Sequence, residues 1–156
     1  MRHDPKGESM SDLYERDFYA WTHQQAGLLR AGRLSAADIE HIAEEIESMG
    51  KTEKRELISR LAVLLAHLLK WQYQPPYRGP SWEVTIRNQR RALSRHLADN
   101  PSLRPKVPEA IADAYPDARG SAYAETGLPE ATFPAACPWS FEQIMDEAFW
   151  PDLAAP

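Results

Sequence analysis

The stretch "LAVLLAHLLKW", residues 61–71, runs into "QYQPPYRGP" at 72–80 and decides how this chain is read. It is too short to span a bilayer, which takes roughly 20 apolar residues, and His67 and Lys70 interrupt it. At about 100° per residue, Leu57, Leu61, Leu64, Leu68 and Trp71 fall on one face, widened by Ile58, Leu65 and Leu69. The spacing predicts a central buried helix. It should stop before Pro75-Pro76, because a residue preceding proline is pushed out of the helical region.

Upstream, Thr52 can cap that helix, with Glu53 near the positive end of its dipole. Before it, Ser35 opens "SAADIEHIAEEIESMG", where Ile39, Ile42, Ala43, Ile46 and Met49 form an apolar stripe and Gly50 offers a stop. Ser11 is placed to cap a first helix whose inner face is Tyr14, Phe18, Trp21, Gln25 and Leu28, ending near Gly32. Downstream, Ser81 can cap a fourth helix with Trp82, Ile86, Gln89, Leu93, His96 and Leu97 on its stripe, ending at Asn100-Pro101. Two shorter helical pieces follow, the second started by Pro116 and stopped by Gly127. Ser140 and Gln143 have capping-box spacing, so a last short helix should run from about Phe141 to Ala148. No strand alternation or hairpin turn competes. The expectation is an all-α bundle of four main helices with short C-terminal helices and a proline-rich wrap. It occupies one domain, 11–156, behind a disordered extension, 1–10, that lacks the apolar core of a signal peptide.

Several blocks also carry a resemblance: "YERDFYAW", "IAEEIESMGKTEKREL", "LLAHLLKWQYQP", "SWEVTIRNQRR", "PSLRPKVPEAIADAYPDAR" and "CPWSFEQIMDEAFWP". In this order, from Leu13 to Pro151, they resemble the bacterial domain-of-unknown-function family numbered twenty-nine. The resemblance implies an all-helical bacterial protein without an assigned activity. It lends no catalytic residues.

The single cysteine, Cys137, cannot form an internal disulfide and lacks zinc-site spacing, which points to the reducing cytoplasm and a structural thiol. A net charge of −5 disfavours a dedicated nucleic-acid binder. With seven glycines and no phosphate-cradling loop or nucleophile motif, no cofactor is evident. Among candidate functional groups, His67 lies at the edge of the central helix's apolar arc, beside Trp71 and on the flank of Arg60 and Glu56. Packing there is the expected role. A histidine and carboxylate cluster of His67, Glu45, Glu44 and His96 is the candidate for metal binding or catalysis, although the wheel turns His41, Glu44 and Glu45 toward solvent. That cluster needs a turn at Gly50. In one unbroken helix, Glu45 and His67 would stand about 33 Å apart. The preferred reading breaks the chain at Gly50.

Arg87, Arg91 and Arg95 form a basic face on the fourth helix, with Arg90 at its boundary. Such a row can bind phosphate or pair with an acidic face, and it lacks the interleaved aromatics of a single-strand binder. The inner polar residues Gln25, Gln89 and His96 predict a hydrogen-bonded layer or a wet pocket. Trp71, Tyr73, Tyr77 and Trp82 are candidates to wall that pocket or to seal the end of the core. Taken together, these features predict a non-catalytic module that binds a protein or ligand. Its partner is expected to be another protein or a second copy, not nucleic acid or a membrane. The alternatives are a metal protein or enzyme built on the histidine and glutamate cluster, and nucleic-acid binding through the helix-four arginines.

Overall fold

The computed structural model describes residues 10–153, and the helices are α1 (Met10–Arg16), α2 (Phe18–Arg30), α3 (Ile39–Tyr73), α4 (Pro80–Asp99), α5 (Val107–Thr126) and α6 (Phe141–Met145). Short 3-10 turns join them, and no strand occurs among the described residues. Of the expected extension, Met10 opens α1 and residues 1–9 lie outside the described residues. Four helices are long, as expected, but they are not the four expected. The predicted second and third helices are one, α3, with 35 residues. Gly50 does not break it. An added Cβ there would meet nothing within 4 Å, so the glycine rides in the helix at a cost near ~1 kcal/mol that the surrounding turns absorb.

The chain divides into two compact units, Met1–Lys51 and Thr52–Pro156. In the first, the single helix predicted over 11–32 splits at Asp17. Its φ of −149° leaves the helical region, and its side chain accepts from the Ala20 N–H at 3.1 Å to cap α2. The stop near Gly32 is observed. Gly32 takes a positive φ of 73°, and the N–H groups of Gly32 and Arg33 reach back to the Leu29 and Leu28 carbonyls, a Schellman closure. Ser35 falls in a 3-10 turn, and α3 starts after Asp38.

In the second unit, Leu57, Leu61, Leu64, Leu65, Leu68 and Leu69 of α3 are completely buried, with Ile86 and Leu93 of α4. The third wall is α5, which presents Ala110, Ala114, Ala118 and Ala122, all fully buried. Small side chains every fourth residue let a helix lie close to a leucine face. Sequence spacing divided this region at Pro116, yet α5 runs through it. Proline forfeits one backbone bond, to the Ala112 carbonyl, and interior proline costs about 3 kcal/mol. Burial of Ala114, Tyr115 and Ala118 around it offsets that cost.

Arg90 holds the C-terminal segment. Its Nε donates to the Ile144 carbonyl and its Nη2 to the Phe149 carbonyl, both at 2.8 Å, and its guanidinium lies over the Trp150 ring. Read from sequence as a boundary residue, it is 2% exposed, and burial lowers its pKa. The Ser140 and Gln143 capping box forms as predicted, and α6 ends at Met145 instead of Ala148. No helix among the described residues is long and apolar enough to cross a membrane.

Candidate functional site

In the N-terminal unit, α3 is turned the opposite way from its hydrophobic pattern. Its stripe was expected inside and its acidic face outside. Instead Ile39, Ile46 and Met49 expose 52%, 62% and 67% of their surface, Ala43 is exposed and Ile42 is half-buried. The polar side carries the contacts. Tyr14 of α1 donates its hydroxyl to Glu45, with Glu44 at 3.4 Å, and its ring stacks on His41 at 3.9 Å between centroids. Those two carboxylates hold the Tyr14 phenol well above its ordinary pKa, with the Glu45 hydrogen bond the largest cause.

Asp38 is the hub beneath the stripe. Its carboxylate accepts from the Trp21 indole N–H at 3.2 Å and from His41 Nδ1 at 2.8 Å. Its backbone N–H donates to Gln25 Oε1 at 2.7 Å. Burial pushes the Asp38 pKa up, but the hydrogen bonds from His41 and Trp21 outweigh it and the net direction is down. His41 is correspondingly raised, chiefly by its bond to Asp38. Trp21 and Gln25 were legible as inner residues of the first helix, and both are buried. Asp38 was missed, although an aspartate directly before a periodic run is an N-cap signal.

The polar face of α3 is therefore paired within its unit, and among the described residues the apolar face has no cover. Along one edge of that stripe the helix is acidic, with Glu40 and Glu47 exposed. Phe18, Tyr19, Leu29 and Leu34 of the same unit are also exposed.

The other candidates separate. His67, half-buried, bonds through Nδ1 to the Val63 carbonyl of its own helix at 2.8 Å, and burial lowers its pKa. Glu44 and Glu45 serve Tyr14, whereas His96 faces Glu53 and Glu56. Glu44 and Glu45 thus share Tyr14 while His67 and His96 have other partners, and the Gly50 turn required to unite Glu45 with His67 is absent because α3 is continuous. The expected aromatic pocket also disperses: Trp71 pairs with Trp150, Tyr73 with Phe133, and Trp82 with the Lys70 ammonium. Tyr77 is exposed. An aromatic cavity of about 340 Å³ does exist, but Trp139, Phe149 and Trp150 of the C-terminal segment wall it, with Gln72.

Arg87, Arg91 and Arg95 are exposed as expected. Arg87 pairs with Glu83, Arg91 with Asn88, and Arg91 and Arg95 border an open cavity of about 400 Å³ together with Arg90 and Glu147. Of the inner polar residues, Gln89 accepts from Arg60 at 3.4 Å, Gln25 accepts from the Asp38 backbone N–H and His96 bonds to the Glu53 carbonyl, each with its own partner. The Cys137 thiol is pushed up by burial and faces the Trp139 carbonyl, which suits a structural group.

The described residues form an all-helical protein with an exposed apolar stripe on α3. The chain belongs to the family described as Domain of unknown function DUF29, whose model matches residues 13–150. No curated protein and no solved structure matches it.

Proposed function

We propose that the chain is a non-catalytic protein-binding module that docks an amphipathic helix of a partner protein on the α3 stripe between Ile39 and Met49. The observation that carries this reading is the exposure of Ile39, Ile46 and Met49 on a helix whose opposite, polar face is already paired. Residues at 39, 42, 46 and 49 alternate spacings of three and four, the pattern by which one helix anchors another. Full burial of such side chains is worth roughly 1.5–3 kcal/mol each before the cost of association. Charge selects the occupant. Glu40 and Glu47, which flank the stripe on its Ala43 side, repel a second copy approaching on the same face and attract lysine or arginine flanks.

The test is fluorescence anisotropy with three labelled synthetic helices. One carries leucines at matching spacing with lysine flanks, one carries the same leucines with glutamate flanks, and one keeps the lysines with serine replacing leucine. Only the first should bind, more weakly at high salt, and Ile46→Asp should abolish that binding without changing the circular-dichroism melt. Equal binding of the serine peptide, no binding of the leucine–lysine peptide, or binding unchanged in Ile46→Asp overturns the proposal. A dimer in sedimentation that Ile46→Asp dissociates overturns it in favour of a second copy as occupant.

A further inference from the structure

In the C-terminal unit, His96 sits on α4 with its imidazole facing α3, and the residue is 7% exposed. Its Nε2 lies 2.8 Å from the Glu53 backbone carbonyl. A carbonyl only accepts, so Nε2 carries the proton and, in the neutral ring, Nδ1 is left as a bare lone pair. That lone pair faces Glu56 Oε2 at 3.7 Å, and no hydrogen bond reaches Nδ1 among the described residues. Two acceptors confront each other across a gap too long for an N–H···O bond. The Glu53 carboxylate stands nearer the other ring nitrogen, its Oε2 3.9 Å from Nε2, and one ligand atom from each of Glu53, Glu56 and His96 lies within 4.8 Å of the others, so Glu53 joins the group by turning its carboxylate toward Nδ1.

We propose that Glu53, Glu56 and His96 form a binding site for a divalent transition metal, zinc by its donor set, that joins α3 to α4. Zinc bonds of about 2.0–2.2 Å to nitrogen and oxygen place two ligands on one tetrahedral ion roughly 3.3 Å apart, so the 3.7 Å gap closes with a small side-chain adjustment. The supporting contacts are those metal ligands ordinarily have. The second imidazole nitrogen donates to a backbone carbonyl, and Glu56 is oriented by the Arg60 Nε at 2.9 Å. Two carboxylates against one guanidinium leave the site negative. Glu53 and Glu56 are one turn apart on α3, and both are partly exposed, which leaves a path for the ion and a fourth position for water. An imidazole with two carboxylates suits zinc and related ions, whereas calcium and magnesium favour all-oxygen sites.

Tag-free full-length protein, stripped with chelator, is titrated with zinc chloride by calorimetry and with cobalt chloride by visible absorption. One zinc per chain should bind, cobalt should give the intense d–d bands of a four-coordinate ion, and zinc should raise the melting temperature. Glu53→Gln and Glu56→Gln should each weaken zinc at least about tenfold while keeping the helical spectrum. These carboxylates are partly exposed, so their variants read the site even where a His96 variant fails to fold. Absence of saturable binding, an affinity unchanged in both glutamine variants, or magnesium binding as tight as zinc overturns the proposal.

Discussion

The two units contain one helix in common and stabilise it by opposite means. From Thr52 onward α3 is held by apolar packing: six of its leucines are fully buried against α4 and an alanine face of α5. Before Lys51 the same helix is held by hydrogen bonds from Tyr14, Trp21 and His41 to the carboxylates of Asp38 and Glu45, and by the Asp38 backbone N–H donating to Gln25, while Ile39 and Ile46 are exposed. Hydrophobic burial is non-directional and grows with area, whereas a polar network contributes about 1 kcal/mol per bond and demands geometry. The C-terminal unit is thus built for stability. The N-terminal unit is held through its polar face and leaves the apolar side chains of Ile39, Ile46 and Met49 exposed.

The contrast is broken most sharply at Leu64. Leu64→Ala should cost about 2–5 kcal/mol in urea unfolding, whereas Ile46→Ala, at a 62% exposed site, should stay within about 0.5 kcal/mol. Equal losses at the two sites would mean that the exposed stripe is core after all. Next in size is Arg90→Leu, which keeps apolar volume but leaves the Ile144 and Phe149 carbonyls without their donor. A loss of about 1–3 kcal/mol is expected, with faster proteolysis after residue 140. Gly50→Ala should act in the other direction. The site is helical with open space at Cβ, so a gain of about 0.4–1 kcal/mol is expected in thermal melts. A loss there would indicate that α3 bends at Gly50.

The finest distinction is in pH. His41 is raised above its ordinary value near ~6.5 by Asp38, and Asp38 is lowered below ~3.9. Their mutual stabilisation is complete between those two unfolded values. It is lost as pH rises through the raised His41 value, and lost again as pH falls through the lowered Asp38 value. Proton NMR should show the His41 ring titrating above ~6.5, and Asp38→Asn should bring it down. His67, lowered chiefly by burial and bonded to the Val63 carbonyl instead of a carboxylate, should titrate below ~6.5. Identical midpoints for the two histidines would sink the polar-network account.

How much was legible follows from what each interaction needs. The all-helical class, the leucine face around "LAVLLAHLLKW", the Gly32 and Gly127 stops and the Ser140 capping box were determined by the sequence alone, because periodicity and capping act within a few residues. His67 at the edge of that face was readable for the same reason. Tertiary contacts alone decided that α3 passes Gly50, that α5 passes Pro116 and that the Ile39 to Met49 stripe faces outward. A local penalty of one to three kcal/mol is within reach of packing from distant residues, as ~25 cal/mol per Å² of buried apolar surface adds up quickly. Which side of an amphipathic helix turns inward depends on what the neighbouring helices offer. In the N-terminal unit they offer a tyrosine hydroxyl and a tryptophan N–H to carboxylates and a glutamine oxygen to the Asp38 backbone N–H, and no local pattern in α3 records that.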